Sequence, residues 1–174
     1  MSHARVIRHA THDDAAGIVA VCTRAARLAY ADLVTPDYLD RVVTHFYNAD
    51  RVSREIAPAA GWFGFVVVEE AARVIGVAGT GRSAERDDAC ELFTLYVDPD
   101  AQRQGVGRAL VAQSIARARA FGATHLDVAV MPGNTTALRF YAACGFTVAG
   151  EREIYAPHGR DGGPQMALLC TRPL

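Results

Sequence analysis

Apolar residues in the first third of the chain recur at every third or fourth position, which is typical of amphipathic helices. Thr11 and Asp14 form a capping-box pattern at the start of a first helix, and Thr35 with Pro36 supplies the cap and first-turn proline of a second. A third, short helical segment covers residues 52–56. The predicted buried faces of the first two helices are Ile18, Cys22, Ala25 and Ala29, then Val42, Val43, Phe46 and Tyr47.

The middle of the chain changes to β-branched and aromatic residues, which predict strands. Trp62 to Glu69 and Val74 to Thr80 form a hairpin, and Glu91 to Val97 forms a third antiparallel strand. Strict alternation in this third strand places Leu92, Thr94 and Tyr96 on one face and Glu91, Phe93, Leu95 and Val97 on the other.

Helices and strands alternate in the last third of the chain. A helix from Gly105 to Phe121 precedes a strand from Leu126 to Val130, and Asn134 caps another helix. Residues 146–148 and 166–170 form the final strands. This order predicts a single domain over residues 1–174 with an α/β (α+β) fold, in which four or five helices flank a mixed, mostly antiparallel sheet of about seven strands.

Composition narrows the class of protein. The chain has 174 residues, 51% of them apolar, and a formal net charge of −1, so it has enough apolar surface for a core and no general attraction for nucleic acid or an anionic membrane. Its four cysteines lack the spacing of metal ligands and are predicted to be buried thiols, and no metal is expected. Without an apolar leader or membrane span, a cytoplasmic enzyme is the simplest expectation.

The segment Gln102–Gly107 (QRQGVG), called the phosphate turn below, is the strongest chemical signal. It follows a strand and an Asp-Pro-Asp turn and leads directly into a helix, where free amides and the helix dipole favour an anion. Gly105 and Gly107 lack the side chains that would keep a pyrophosphate away, and Arg103 and Arg108 add positive charge.

Three other interpretations compete for the phosphate turn. A Walker loop would need Gly-Lys-Ser/Thr, which is absent. A dinucleotide fingerprint would need glycine where Leu110 stands; Asp127 lies at a suitable distance, but antiparallel hairpins precede the turn instead of βαβ units. A helix start eased by glycine, with no ligand, is the third alternative.

With Asn134 and Tyr141 downstream, the residues resemble the GCN5-related N-acetyltransferase (GNAT) family. The likeness rests on Gln102, Gly105 and Gly107 in the turn, on the strand ELFTLYVDP before it and on NTTALRFYAACGF after it. It implies acetyl-CoA as co-substrate, a V-shaped opening beside the third strand, and frequent pairing as homodimers. The residues it implies for coenzyme A binding are Leu95, Tyr96, Val97, Gln102, Arg103, Gln104, Gly105, Val106, Gly107, Arg108, Asn134, Ala137 and Tyr141.

The resemblance further implies direct transfer of an acetyl group to a primary amine of a small molecule or peptide. Tyr141 is the candidate general acid for the departing thiolate, with a plain core tyrosine as the alternative. Glu91 is the candidate base, with a salt-bridged strand residue as the alternative. Asp127 and His125 are weaker candidates for the base. Some family members carry a glutamate where this chain has Ala129, which removes one possible base.

The acceptor is not specified by the sequence. Tyr30, Trp62 and His158 are candidate acceptor-binding residues, together with Asp32, Asp37 and Asp161. Cys144 is a candidate nucleophile for a covalent acyl-enzyme, but no adjacent base is evident in the sequence, so a packing role for Cys144 is preferred. A non-catalytic acyl-CoA-binding sensor and a nucleotide oxidoreductase are the alternative functions.

Overall fold

The computed structural model describes residues 4–154 and 165–174 of the chain. Its strands are β1 Arg5–His9, β2 Trp62–Glu70, β3 Arg73–Arg82, β4 Ala89–Val97, β5 His125–Val130, β6 Thr147–Ile154 and β7 Gln165–Pro173. Its helices are α1 Ala15–Tyr30, α2 Pro36–Phe46, α3 Ala49–Glu55, α4 Val106–Phe121 and α5 Thr135–Ala143. Among these helices, none is long and apolar enough to cross a membrane.

The seven strands form one sheet in the order β1-β2-β3-β4-β5-β7-β6. Every neighbouring pair is antiparallel except β4 and β5, which run parallel. The mixed, mostly antiparallel sheet flanked by helices that the sequence predicts is therefore confirmed.

Helices cover both faces of the sheet, and the central strands are buried on both sides. Val66 and Val68 of β2 belong to the same buried cluster as Leu110 of α4, whereas Val67 packs with Ile18 of α1. Successive side chains of a strand point to opposite faces, so this alternation places α4 on one face and α1 on the other.

β4 departs from the strict alternation predicted for it. Thr80 pairs with Leu92 and Gly79 with Thr94, so Phe93 is an extra residue without a partner in β3. This β-bulge reverses the facing of all later residues, and Leu92 consequently shares one core cluster with Leu95 and Val97. The assignment of Leu92 and Leu95 to opposite faces was wrong, because side-chain type alone does not reveal a bulge.

β4 and β5 pair only at their beginnings. Their pairs are Ala89 with His125, Cys90 with Leu126 and Glu91 with Asp127. Beyond this last pair the described residues form no further β4–β5 pair, although β3 holds β4 to Val97 and β7 holds β5 to Val130. The two strands separate as they advance, which leaves a gap in the sheet.

Local capping signals are confirmed, but some predicted details are not. Asp14 accepts a hydrogen bond from the Thr11 amide at 2.7 Å, and Thr35 accepts one from the Tyr38 amide at 3.3 Å. Val42 is only half-buried, because α2 turns Tyr38, Leu39 and Val43 towards the core instead. Cys144 is likewise half-buried, whereas the other three cysteines are buried.

The hairpin between β2 and β3 turns through two alanines whose backbone is strained. Ala71 and Ala72 have φ angles of 51° and 58°, in the left-handed region that costs an L-residue about 1–2 kcal/mol. Ala72→Gly should raise the free energy of unfolding by about 1 kcal/mol, because glycine tolerates this conformation. Urea denaturation measures the change.

The matched control is Ala116→Gly at an exposed position within α4, which should lower the free energy of unfolding by about 1 kcal/mol. If Ala72→Gly instead loses stability as the control does, the backbone of Ala72 is not strained in the way that its φ angle indicates.

Candidate functional site

A cleft of about 850 Å³ opens where β4 and β5 separate. It is bounded by the end of α1, the separated strands, the phosphate turn and α5. Of the residues that the sequence predicts for coenzyme A or acceptor binding, the cleft is lined by Leu95, Tyr96, Val97, Gln102, Arg103, Gly105, Gly107, Arg108, Asn134, Ala137, Tyr141, Tyr30 and Asp32.

Several residues that line the cleft were not predicted from the sequence. They come from the end of α1, the bulge of β4, the separated part of β5 and the start of α5: Leu28, Leu33, Phe93, Val128, Ala129, Gly133, Thr136 and Phe140. Most are apolar residues whose types indicate only packing. Gly133, with a φ angle of 90° just before the α5 cap, is the one local signal that marks this edge.

The phosphate turn has the backbone geometry of an anion cradle. Arg103 and Gly105 have φ angles of 59° and 84°, and the left-handed conformation at Arg103 costs about 1–2 kcal/mol. The first bond of α4 runs from the Ala109 amide to the Gly105 carbonyl at 3.1 Å, so the amides of residues 106–108 precede the helical ladder. A Cβ on Gly105 would meet no atom within 4 Å, so this side of the turn is open.

Two predicted members of the cradle turn their side chains elsewhere. Val106 is buried in the core, and Gln104 bonds to Arg5 and donates to the Asp100 carbonyl at 3.0 Å. These side-chain contacts leave the backbone amides, which are the groups predicted to bind the anion, in the turn. A helix start must anchor itself to the core and to neighbouring elements, so only the backbone of these two residues faces an anion in the turn.

Tyr141 forms one wall of the cleft. Its ring packs edge-on against Phe140 and Phe146, with ring centroids 5.2 and 5.4 Å away, and Asn134 caps the same helix by accepting from the Ala137 amide at 3.1 Å. Burial raises the pKa of Tyr141 above its usual value. Its hydroxyl therefore keeps its proton and has a hydrogen bond to donate.

Three tyrosines lie together beside the separated β4. Tyr30 and Tyr96 pack against one apolar cluster, Tyr47 and Tyr96 against another, and the rings of Tyr47 and Tyr96 pack edge-on at 5.4 Å. Burial raises the pKa of all three phenols, so they remain neutral. Tyr30 and Tyr96 line the cleft and give this wall polar groups without charge.

Glu91 lies at the point where the strands separate but does not line the cleft. It is 3% exposed, ion-paired with Arg152 of β6, and registered beside Asp127. Burial raises the pKa of Glu91 to about 7, while Arg152 opposes the rise. The contacts agree with the alternative of a salt-bridged strand residue, because the side chain is covered by a charged partner from β6, 61 residues away.

The Glu91–Arg152 pair belongs to a larger group of charges that extends from the buried sheet to the surface. Arg152 also contacts Glu85 at 3.1 Å, and Arg86 approaches Asp127 at 3.5 Å. Within the described part of the chain, the buried side-chain atoms without a hydrogen bond are Asp127 Oδ1, Arg152 Nε and Thr171 Oγ1. The loop between β3 and β4 thus closes over the sheet at this point.

The other candidate residues have different surroundings. Trp62 donates to the Glu55 carbonyl at 2.6 Å and packs against Phe65 and Phe93, so it does not line the cleft as predicted; its bulky ring instead fills space over β3. His125 lies 3.2 Å from Asp88, outside the cleft lining. His158 and Asp161 lie outside the described residues.

Comparisons with known proteins agree with this geometry. Residues 27–146 match the model of the acetyltransferase (GNAT) family. A mycothiol acetyltransferase of Propionibacterium freudenreichii is 34% identical over 121 residues, which cover 62% of this chain and 38% of the relative. The ribosomal protein bS18-alanine N-acetyltransferase of Escherichia coli is 40% identical over 83 residues, which cover 47% of this chain and 56% of the relative. The chain thus spans about half the length, or less, of these curated relatives.

Solved structures share the fold over almost the whole chain. The PaiA N-acetyltransferase of Thermoplasma acidophilum, in complex with coenzyme A, superposes with a TM-score of 0.81 at 17% identity, covering 98% of this chain and 99% of the other. The E. coli ribosomal-protein-S18-alanine N-acetyltransferase superposes with a TM-score of 0.68 at 22% identity, covering 98% and 94%. At these identities the likeness shows the fold alone.

The buried ion pair predicts a stability effect that depends on pH. Arg152→Met should lower the free energy of unfolding by about 3 kcal/mol at pH 8.5, because it leaves Glu91 charged and unpaired. The loss should be smaller at pH 5.5, below the pKa of about 7, where Glu91 carries a proton and needs no partner. Denaturant unfolding at both pH values measures the difference.

The control is the double variant Glu91→Gln with Arg152→Met, which removes both charges and should recover most of the stability lost at pH 8.5. If Arg152→Met lowers the free energy of unfolding equally at the two pH values, Arg152 stabilises the fold independently of the charge on Glu91.

Proposed function

The chain belongs to the acetyltransferase (GNAT) family, and from that premise we propose that it transfers an acetyl group directly from acetyl-CoA to a primary amine. The observation that carries this proposal is the separation of β4 from β5 between the phosphate turn and Tyr141. A gap in the sheet, open beside an anion cradle, suits a long acyl donor with a phosphorylated end.

The residues present fit coenzyme A. The strained phosphate turn offers converging amides for the pyrophosphate, and the side chains of Arg103 and Arg108 line the same cleft. After Glu91, the edge of β4 that faces β5 no longer pairs with that strand, so its amides and carbonyls are available to an extended ligand such as the pantetheine arm. Acetyl-CoA supplies the activated thioester, and the protein supplies position and proton transfer.

Tyr141 is proposed to donate a hydrogen bond to the departing sulfur. An ordinary phenol has a pKa of about 10 and a thiol about 8.5, so full proton transfer is already uphill. Burial raises the pKa of Tyr141 further, which makes complete transfer less favourable still. Stabilising the developing negative charge needs only donation of the hydrogen bond.

Glu91 is proposed to receive the proton that the amine loses, by way of water. An alkylammonium has a pKa of about 10, so the acceptor needs a base near neutrality. The pKa of about 7 suits Glu91 for that role, but its absence from the cleft lining excludes direct contact with an amine bound there. Arg152 opposes the effect of burial and so keeps the pKa of the Glu91 carboxyl near 7.

The acceptor side favours an amine attached to an apolar body. Leu28, Phe93 and Tyr30 provide apolar and aromatic surface in the cleft, and Asp32 provides one carboxylate to attract an ammonium group. A small molecule or a peptide N-terminus meets these requirements. The bS18-alanine enzyme among the relatives acts on a protein alanine, which supports including peptides in the class.

One observation favours the alternative of a non-catalytic acyl-CoA-binding module. Glu91 is held by Arg152 and does not reach the cleft, so a chain that binds the donor without turnover fits the same geometry. The two functions differ only in release of coenzyme A.

Free-thiol release from acetyl-CoA, followed with a panel of small amines and alanine-terminated peptides, tests the proposal. Acceptor-dependent thiol release is the expected result. Calorimetric binding of acetyl-CoA without thiol release across the whole panel would favour the non-catalytic module, and absence of binding would overturn both.

Tyr141→Phe should lower kcat by about a hundredfold, because the leaving sulfur loses its hydrogen-bond donor. The affinity for acetyl-CoA should change little, since the ring and its packing remain. Thiol-release kinetics and calorimetry measure the two quantities.

Tyr47→Phe is the matched control, because it also removes a buried hydroxyl but from a tyrosine outside the cleft lining. A kcat for Tyr141→Phe as high as that of this control would exclude the donor role.

Glu91→Gln should remove the ascending limb of the kcat/KM profile near pH 7. A general base must be deprotonated, so in the unmodified protein kcat/KM rises as pH passes through the pKa of about 7. Profiles between pH 5.5 and 9 with one acceptor measure this limb.

Asp88→Asn serves as the control for the loss of a carboxylate. Hydrogen bonds from Arg86 and Thr124 hold the pKa of Asp88 at about 2, so it does not titrate in this range and its variant should keep the limb. If Glu91→Gln also keeps the limb, another group is the base.

A further inference from the structure

Arg5, on the N-terminal strand, reaches across the fold to the phosphate turn. Its Nη1 donates to the Gln104 carbonyl at 2.9 Å, and its Nη2 donates to Oε1 of the same glutamine. Its Nε donates to Glu70 Oε1 at 2.9 Å, and Glu70 is the register partner of Arg5 on β2. Glu70 therefore orients the guanidinium, which donates to two oxygens of Gln104.

These hydrogen bonds from Arg5 fix the orientation of the peptide plane between Gln104 and Gly105. In a trans peptide the carbonyl and the following amide point in opposite directions, so a Gln104 carbonyl held by Arg5 directs the Gly105 amide away from Arg5. Gly105 is in the left-handed region with open space around its Cβ position, so nothing at that residue itself prevents the plane from rotating.

A second contact strengthens the arrangement from inside the turn. The Gln104 side chain, whose Oε1 is held by Arg5, donates through Nε2 to the Asp100 carbonyl at 3.0 Å. Asp100 and Asp98 are in turn ion-paired with Arg24 of α1, at 3.1 and 2.6 Å. The segment just before the phosphate turn and the middle of the turn are thus each tied to an arginine from the N-terminal elements.

We propose that Arg5 is a positioning residue for anion binding, which fixes the Gln104–Gly105 peptide so that the amides of the phosphate turn converge on the pyrophosphate of coenzyme A. Three of its five donors are engaged by Glu70 and Gln104 and the side chain does not line the cleft, so the proposed role is to orient the backbone and not to bind phosphate. The identity of the anion rests on the proposed function.

The competing explanation is that Arg5 contributes only a positive charge near the anion. Arg5→Lys separates the two roles, because lysine keeps the charge but lacks the planar fork that holds the carbonyl and the side-chain oxygen together. Positioning predicts that lysine fails to restore binding, and charge alone predicts that it restores binding.

Calorimetry of the full chain with coenzyme A, and competition by inorganic pyrophosphate, test the proposal. Arg5→Gln should weaken binding of both probes by about tenfold, as expected from losing charge-assisted hydrogen bonds, and Arg5→Lys should show most of the same loss. Arg54→Gln, which removes the same charge from an exposed position on α3, should bind both probes normally.

The kinetic signature should be a raised KM for acetyl-CoA with kcat nearly unchanged, because the reacting groups near Tyr141 are untouched. Full affinity in Arg5→Gln, or restoration by Arg5→Lys, would overturn the positioning role. Thermal unfolding identifies any variant that fails to fold; Gln104→Met then replaces it, since it removes one of the two oxygens held by Arg5 and should give a smaller loss of affinity. Full affinity in Gln104→Met would equally overturn the role. Failure of the unmodified protein to bind coenzyme A would instead reject the proposed function.

Discussion

The three residue pairs that join β4 to β5 are the constraint on which the rest of the structure depends. Buried backbone groups normally need partners, so two neighbouring strands that stop pairing leave a row of donors and acceptors unmet. The protein tolerates this because β3 holds β4 along its length and β7 holds β5. The cleft is therefore a gap between two strands that are each paired on their other edge, and the phosphate turn lies at one end of the cleft.

Charge is distributed unequally around this gap. The phosphate turn contributes amides, Arg103 and Arg108, whereas the wall formed by Tyr30 and Tyr96 contributes neutral hydroxyls. The buried carboxylates Glu91 and Asp127 are confined to the end where the strands still pair, each beside an arginine. In the proposed function, an anionic donor is attracted at one end of the cleft, and the candidate base lies beyond the other.

The sequence predicted the features that depend on neighbouring residues. The glycines of the phosphate turn and the Asn134 cap follow from local backbone rules, the site role of Tyr141 was implied by the family resemblance, and all of them lie along the cleft. The bulge at Phe93 and the contacts of Gln104 and Glu91 were not predictable. The partners Arg5 and Arg152 lie 99 and 61 residues away in sequence, and a periodic pattern carries no information about pairing over such distances.

The brief contact between β4 and β5 has a mechanical meaning as well. Strands β1–β4 form one half-sheet and β5–β7 the other, and three rungs of pairing are the sheet connection between them. Beyond them, the described parts of the two halves have no β pairing across the gap, while each half keeps its own. The ion pair from Glu91 to Arg152 also spans the two halves, from β4 to β6. The arginine that opposes the effect of burial on the pKa of Glu91 is therefore also a side-chain link between the two half-sheets.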